Sequence, residues 1–473
     1  MPDRRTPAGL PAANRRQPWS RSADLMAVVV LSGALAMAAP SARAQAAPID
    51  PETQNIWQRE RLTGDWGGLR SALENHGISL GLTNTADVLG NVTGGVKRGA
   101  VFEGLATPVL EVDLDKLAGW TGGRFKVSSY GIYGRGLTAN NVRNLLTISN
   151  IEVVRSLRLG DLYLEQDLFQ GGLNVRVGQI AADTEFVTSD FAGVFINSTF
   201  GWPGLHGNDL PGGGPAYPYS TPGVRVRYTA SDAFSVQAGI YNGNPLGANG
   251  DWGGTEFPID GWFGIIEAAY STKPGAGGGG LGGTYKLGAW YNSLRFSDVH
   301  VDTAGLSLAN PASTGTPASH TGNFGIYAVV DHMLWRKPGT EGGGLGGFIR
   351  VTTAPQQNRN PVYVYVDAGL TFQGPLRDRD DDIVGIGFGW ANLSHGLRSL
   401  DRDTIFFTGV NQPIRSSEIV VELTYQAQVT PWLVLQPDFQ YVIRPSGGIS
   451  DPNDPTKRIG NAAVFGLRSI ITF

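Results

Sequence analysis

The sequence lacks cysteine, has few charged residues and, beyond its first 44 residues, contains no long apolar run. The absence of cysteine excludes disulfides, thiol catalysis and cysteine-ligated metal sites. Charged residues make up 16% of the chain, against roughly 25% in soluble domains. No segment of the main part approaches the roughly 18 consecutive apolar residues of a membrane helix. These absences argue against both a compact soluble enzyme and a helical membrane protein.

Catalytic and cofactor-binding motifs are also missing. No G-x-S-x-G is present, and the glycine runs at 275–280 and 341–347 lack the Lys-Ser/Thr of a phosphate-binding loop. The six histidines (76, 206, 300, 320, 332 and 395) show no metal-ligand spacing. A barrel lipase or phospholipase is the main enzymatic alternative, but it needs an activated nucleophile beside a base. We therefore expect no enzymatic activity, no cofactor and no metal.

The N-terminus has the features of a secretory signal peptide. A basic region is followed by the apolar run Leu25–Ala39, and Ala42-Arg43-Ala44 fits a cleavage site. We predict a signal peptide over residues 1–44, with a single membrane-anchor helix as the alternative. Its removal takes away six Arg and two Asp, which leaves 31 basic and 39 acidic residues and a net charge of −8. That charge argues against nucleic acid as a partner.

Residues 161–203 contain two segments in which apolar and polar side chains alternate. Leu162 and Leu164 alternate with Asp161, Tyr163 and Glu165, and a similar run follows after Gly171-Gly172, which we interpret as a hairpin turn. Successive side chains of a strand point to opposite faces. The charged face must contact water, because buried unpaired charges are costly. A barrel wall between lipid and a water-filled lumen accommodates both faces.

The same alternation recurs along the chain and predicts sixteen strands. They are expected at 80–91, 105–116, 123–134, 159–169, 172–179, 222–229, 233–241, 261–270, 283–292, 322–333, 346–354, 362–372, 383–391, 416–429, 431–442 and 461–473. The expected fold is all-β, a transmembrane antiparallel β-barrel over 79–473. A barrel of sixteen strands leaves an aqueous channel. Residues 45–78 form an N-terminal segment on the periplasmic side, whose short helix begins near Thr63 or Asp65 and ends near Asn75, before Gly77.

The connections between strands differ in length. Gln170–Gly172 and Thr430-Pro431 are short, as periplasmic turns are, whereas 301–321 and 443–460 are long and polar, as extracellular loops are. The acidic run 377–382 is interpreted as a solvated loop, with divalent-ion bridging to lipopolysaccharide as the alternative. The loop 181–221 is rich in polar and aromatic residues, and we expect it to fold into the lumen as a constriction.

Several long segments resemble the OprB-type carbohydrate-selective porins of Gram-negative outer membranes. They are LTGDWGGLR (62–70), VRVGQIAADTEF (175–186), FINSTFGWP (195–203), PAYPYSTPGVRVRY (215–228), GIYNGNP (239–245) and ELTYQAQVTPWLVLQPDFQYV (422–442). The resemblance covers about Leu62 to Phe473. It implies a sixteen-stranded barrel with a constricted pore for passive diffusion of glucose and related small sugars into the periplasm. The loops 271–283, 301–321 and 338–347 are unusually rich in Gly, Ser and Thr, and we assign them to the outer vestibule.

A pore for neutral sugars needs groups that hydrogen-bond hydroxyls and aromatic rings that stack on sugar faces. The predicted pore-lining residues are Arg124, Lys126, Asp161, Glu165, Asp167, Arg176, Asp183, Glu185, Asn197, Trp202, Arg225 and Arg227. For Arg176 and Glu165 the alternative is a cross-strand pair that braces the wall. For Trp202 the alternatives are a loop anchor and an interfacial aromatic.

The partners that we expect are small neutral sugars and the lipids and lipopolysaccharide of the outer membrane. A general or weakly ion-selective diffusion porin is the alternative function. The sequence leaves both a monomer and a homotrimer open.

Overall fold

The computed structural model describes residues 55–246, 253–272, 281–339 and 343–473. The predicted signal peptide and the glycine run 275–280 lie outside these ranges. Sixteen strands of the described chain form one closed antiparallel barrel, in which each strand pairs with its neighbours in sequence. The last barrel strand pairs with the first and closes the barrel. The predicted fold class is thereby confirmed.

Short helices and a small hairpin accompany the barrel strands. The strands are β1 (Ile78–Gly95), β2 (Gly99–Asp113), β3 (Gly123–Gly134), β4 (Ser156–Leu168), β5 (Leu173–Ile180), β6 (Thr221–Thr229), β7 (Phe234–Asn242), β8 (Trp262–Thr272), β9 (Gly283–Asp302), β10 (Pro317–Arg336), β11 (Gly344–Thr353), β12 (Val362–Gln373), β13 (Ile383–Leu393), β14 (Ser417–Thr430), β15 (Leu433–Ile443), β16 (Ser450–Asp451), β17 (Asp454–Arg458) and β18 (Gly460–Thr472). The helices are α1 (Leu69–Asn75), α2 (Leu114–Ala118), α3 (Gly204–Asp209) and α4 (His395–Thr408). Strands β16 and β17 pair only with each other, outside the barrel.

The two faces of the strands differ as the alternation predicts. Side chains such as Leu157, Ile240 and Leu287 are exposed on the outer face, whereas Glu165 and Glu422 are buried inside. An apolar outer face against lipid and a polar interior are what a membrane barrel requires.

Glycines on the inner face make room for loop side chains. A Cβ atom at Gly346 of β11 would lie 1.9 Å from the ring of Phe191, and one at Gly387 of β13 would lie 2.7 Å from the ring of Phe200. Real Cβ atoms do not approach neighbours this closely, so aromatic rings pack directly on the bare backbone at both positions. This packing accounts for part of the high glycine content.

The two ends of the barrel differ in the length of their connections. Residues 55–77, Phe473 and the turns 169–172 and 431–432 lie at one end, while loops 135–155 and 181–220 leave the other. Since periplasmic turns of such barrels are short, the first end faces the periplasm. Strand order places residues 337–339, Gly343 and 374–382 at this periplasmic end, where β8 also ends and β9 begins. For the described residues of 271–283 and 338–347 the assignment to the outer vestibule was therefore wrong, and the run 377–382 lies away from lipopolysaccharide.

Several strands end at residues other than those predicted from the alternation of apolar and polar side chains. Strand β2 ends at Asp113, because the Asp113 carboxylate accepts hydrogen bonds from the N–H groups of Asp115 and Lys116 and begins α2. The predicted loop 301–321 is shorter than expected, since β9 extends to Asp302 and β10 begins at Pro317. Likewise, Gly344, Gly346 and Gly347 belong to β11 and are not loop residues.

Turn and helix ends also differ in detail. In the hairpin after β4, positive φ occurs at Phe169, Gln170 and Gly171, whereas Gly172 has φ −67°. Helix α1 ends at Asn75 as predicted, but its N-cap is Gly68, while the Asp65 carboxylate accepts the N–H of Ser71.

Helix α4 was not predicted at all, and the predicted long loop 443–460 contains the hairpin of β16 and β17. Ser394 at the N-cap of α4 and Gly409 at its C-cap were the available sequence signals. No helix of the described ranges is long and apolar enough to cross a membrane.

A buried ion pair joins the first and last barrel strands. Asp87 of β1 lies opposite Arg468 of β18, and both side chains are buried. The Arg468 Nε donates to Asp87 Oδ1 at 2.7 Å, and Nη2 donates to Oδ2 at 2.8 Å. We predict that Arg468→Ala lowers the free energy of unfolding by about 3–5 kcal/mol, because it leaves a buried carboxylate unpaired.

This loss of stability is measured on SDS gels, as the temperature at which the fast-migrating band of the folded protein disappears. The double variant Asp87→Asn/Arg468→Ala should recover part of the stability, because it removes the stranded charge as well. Equal melting of wild type and Arg468→Ala would contradict the role of this pair.

Candidate functional site

Loop 181–220 folds into the barrel and is held there by wall carboxylates. Glu422 of β14 accepts the N–H groups of Ile196 at 2.6 Å and Asn197 at 3.0 Å. Glu267 of β8 accepts the N–H of Val187 at 2.9 Å. Buried backbone N–H groups must be paired, and here the partners are lumen-facing side chains. The loop is thus fixed inside the channel, as predicted.

Arg350 of β11 satisfies the carbonyl groups of the same loop. Its Nη1 donates to the carbonyls of Val187 and Gly201, and its Nη2 donates to those of Thr199 and Phe200, at 2.7–3.0 Å. Arg350 is fully buried, and Asp367 of β12 balances its charge. One planar guanidinium therefore fixes the loop at two places, Val187 and residues 199–201.

A second loop, 135–155, also enters the lumen, and this was not predicted. Glu418 of β14 accepts the N–H groups of Leu145 at 2.8 Å and Leu146 at 2.7 Å. The amide of Asn197 donates to the Leu146 carbonyl at 3.0 Å and so connects the two loops. Glu418 and Glu422 lie four residues apart on the inner face of β14, a spacing that could have indicated their shared role.

Seven predicted residues form one charged cluster near the periplasmic end of β3–β6. The charged cluster comprises Arg124, Glu165, Asp167, Arg176, Arg225 and Arg227 from the wall and Glu185 from loop 181–220. Strand register places four of them side by side, in the order Arg124, Glu165, Arg176 and Arg225. The cluster contains four cations and three anions, so its net charge is small.

Arg176 lies at the centre of the charged cluster. Its Nη2 is 2.5 Å from Glu165 Oε2, and its Nη1 is 2.8 Å from Glu185 Oε1. Its guanidinium carbon lies 4.2 Å from the ring centroid of Tyr163, a cation–π contact. Arg225 approaches the same Glu185 carboxylate, with Nη2 donating to Oε1 at 2.7 Å. Glu185 therefore separates two arginines that face each other across neighbouring strands.

The charged cluster borders a water-accessible cavity of about 420 Å³. Arg124 is 60% exposed and Arg227 is 40% exposed, whereas Arg225 is 1% exposed. Lys126 lines the same cavity and pairs with Glu111 at 3.3 Å. Arg225 thus belongs to a buried part of the cluster that is held rigidly, whereas the donors of Arg124 and Arg227 face the channel.

The remaining predicted residues lie elsewhere in the lumen. Asp161 accepts the hydroxyl of Ser220 at 3.2 Å. Asp183 accepts the N–H of Tyr217 at 2.9 Å, and burial raises the pKa of its carboxyl to about 6. Asn197 is fully buried, which favours an anchoring role.

Trp202 is fixed by two contacts in loop 181–220. Its indole N–H donates to the Gly213 carbonyl at 2.8 Å, and the centroids of its ring and of the His206 ring are 4.5 Å apart. Burial lowers the pKa of His206 to about 3, so this ring is neutral. No group of three or more metal-ligating side chains occurs in the part of the chain that the structure describes.

Comparison with known proteins identifies the family. The model of the carbohydrate-selective porin OprB family matches residues 97–473. The chain belongs to the OprB family of carbohydrate-selective porins. It is therefore a porin of the Gram-negative outer membrane, and its family is one of channels, not of enzymes.

Individual relatives support this placement. Porin B of Pseudomonas aeruginosa is 27% identical over 430 residues, which cover 86% of this chain and 90% of that protein. The putative porin QuiX of Acinetobacter baylyi is 24% identical, over 89% of this chain and 95% of that protein. The high-pH structure of Pseudomonas putida OprB superposes with a TM-score of 0.79 at 26% identity, covering 89% of this chain and all of that one.

We predict that Glu422→Gln loosens the loop in this porin. An amide accepts more weakly than a carboxylate, so the N–H groups of Ile196 and Asn197 lose about 2–3 kcal/mol of stabilisation. The expected result is a larger and noisier single-channel conductance, measured in planar bilayers. Glu60→Gln, at an exposed position in the segment that precedes the barrel, is the matched control. Unchanged current noise in Glu422→Gln would show that the loop is held by other contacts.

Proposed function

We propose that the charged cluster is the sugar-selecting constriction of this porin, and that glucose and related small neutral sugars pass it by passive diffusion. The observation that carries this proposal is the row Arg124, Glu165, Arg176 and Arg225, closed by Glu185 from the infolded loop. A sugar that leaves bulk water there finds donors and acceptors at fixed positions. The cost of removing hydration water from its hydroxyls is thereby offset.

The balance of charge makes this constriction suitable for uncharged solutes. Four cations against three anions leave only a small excess of positive charge, so ions of neither sign gain a large advantage. The opposed charges still create a local field across the pore, and charged groups form stronger hydrogen bonds with hydroxyls than neutral groups do. The exposed side chains of Arg124 and Arg227 supply the donors of the cluster that remain accessible to a sugar.

The other predicted residues extend the same path. Lys126 lies in the cavity that borders the charged cluster, and Asp161 and Asp183 supply acceptors further along the lumen. Trp202 offers a ring held in one orientation, which suits stacking on the apolar face of a sugar. Asn197 contributes by keeping the two loops together.

In this proposal the protein is a passive channel and catalyses no reaction. Each barrel contains a complete pore, whether the porin is a monomer or a homotrimer. Its other partners are the lipids and lipopolysaccharide that surround the outer face.

We expect liposomes that contain this porin to swell faster in glucose than in a neutral disaccharide or trisaccharide. Glucose should also reduce the ion current through single channels, because a bound sugar occupies the constriction. The measurement is the swelling rate in isosmotic solutions of each sugar. Swelling that depends on solute size alone, together with an ion current insensitive to glucose, would favour a general diffusion porin.

Arg176→Ala tests the constriction itself. Removal of this guanidinium leaves the charges of Glu165 and Glu185 less compensated, so selectivity should shift towards cations and glucose block should weaken. The barrel should still fold, because the variant removes no packed apolar side chain. Reversal potential and glucose-dependent current block in planar bilayers measure both effects.

Arg377→Ala is the matched control, since Arg377 is 96% exposed in a periplasmic turn. The control should leave both conductance properties unchanged. If Arg176→Ala instead lowers only the melting temperature, Arg176 braces the wall and does not select sugars.

A further inference from the structure

The two infolded loops enclose a second cavity between them. It has a volume of about 390 Å³, and every residue that lines it belongs to loop 135–155 or loop 181–220. This volume falls in the range of small-molecule sites. One lining residue, Ser149, donates to Asp87 near the middle of β1, whereas the charged cluster lies close to the periplasmic ends of β3–β6. The cavity is therefore nearer the extracellular end.

The lining of this cavity is almost neutral. Its polar side chains are mainly amides and hydroxyls, and Glu152 is its one charged side chain. The Glu152 carboxylate accepts the N–H groups of Leu137 and Thr138 and is thus engaged by its own loop. A cavity with this lining suits an uncharged polyol better than an ion.

Two asparagines present hydrogen-bonding groups that the protein does not fully use. The amide of Asn208 donates to the carbonyls of Gly204 at 2.6 Å and Leu145 at 3.4 Å, which orients its side-chain oxygen as an acceptor. Asn144 is 7% exposed, and its amide donates to the Leu146 carbonyl at 2.5 Å. Its Oδ1 is buried without a hydrogen-bond partner in the described chain, an arrangement that normally costs stability. Asn144 also lines the cavity, so a small movement of its side chain would bring this oxygen to a ligand hydroxyl.

Aromatic rings with fixed orientations complete the cavity. Trp202 is backed by His206 on one side, and Tyr219 is backed by the guanidinium of Arg158 at 4.6 Å. Both rings line the cavity. Rings backed in this way keep their orientation and present flat surfaces to the C–H faces of a sugar.

We propose that this cavity is an outer sugar-binding site, separate from the charged cluster and occupied first by neutral sugars that enter from outside. The proposal rests on the proposed function, because it assigns the same substrate class to a second site. Asn144 and Asn208 would bind hydroxyls, and the rings would contact the apolar face. Sugars would then pass two sites in series, a neutral one followed by a charged one.

Site-specific thiol labelling tests this proposal, since the chain contains no cysteine of its own. Ser198→Cys and Thr147→Cys each introduce one thiol into the cavity, and both are checked for the fast-migrating folded form. A charged, membrane-impermeant methanethiosulfonate is added from the extracellular side, with and without glucose. Glucose should slow modification at both positions by about 2- to 10-fold near saturation. The control Asn411→Cys, on an exposed segment outside the cavity, should react at a rate that glucose does not change.

Protection in an Arg176→Ala background separates the two sites. If the outer site is independent, glucose should still protect the thiol at position 147 there, while the current block weakens. Asn208→Ala should weaken glucose binding measured from the outer side by about 2- to 10-fold, as expected for loss of one hydrogen bond.

Two outcomes would contradict these ideas in different ways. If glucose blocks the wild-type current but protects neither thiol, the outer site is overturned and the proposed function stands. Absence of both block and protection would overturn both.

Discussion

The lumen of this porin depends on one constraint: the backbone of an infolded loop has polar groups that must find partners inside the barrel. Glu422 and Glu418 accept four N–H groups of the two loops between them, and Arg350 donates to four carbonyls. Each unpaired buried group would cost about 1–3 kcal/mol. The wall therefore supplies the hydrogen bonds that a helix or sheet would otherwise provide. Together with Glu267, which accepts the N–H of Val187, these side chains hold the segments that narrow the channel.

The same arrangement couples loop position to the electrostatics of the pore. Arg176 and Arg225 lie opposite each other on neighbouring strands, a pairing that is unfavourable alone. Glu185, carried by loop 181–220, lies between them and offsets the repulsion. A shift of this loop would expose two adjacent cations. The charge that a solute meets is thus set jointly by the wall and by a segment that is not part of it.

Sequence alternation predicted the barrel well, because its origin is the period of two in a single strand between lipid and water. It could not predict features that depend on distant contacts. The spacing of Glu418 and Glu422 marks both as lumen-facing carboxylates, but the backbone groups that they bind, such as the N–H of Ile196, are identified only in the folded structure. Loop 135–155 contains no strong motif, and its place in the lumen follows from Glu418. By contrast, two features could have been predicted from the sequence. The residues that cap α4 are visible there, and counting strands shows which end of the barrel the β10–β11 connection occupies.

The unequal lengths of the strands have a consequence for the surroundings of the mouth. Strands β9 and β10 each span 20 residues, whereas β5 has 8. At about 3.3 Å per residue, the β9–β10 hairpin continues for roughly 30 Å along its strands beyond the last residues that pair with β8 and β11. The excess height belongs to the extracellular end, where polysaccharide chains crowd the cell surface. Beyond Asn292 in β9 and before Ile326 in β10, the two strands pair only with each other, so this hairpin raises the rim of the mouth on its own side.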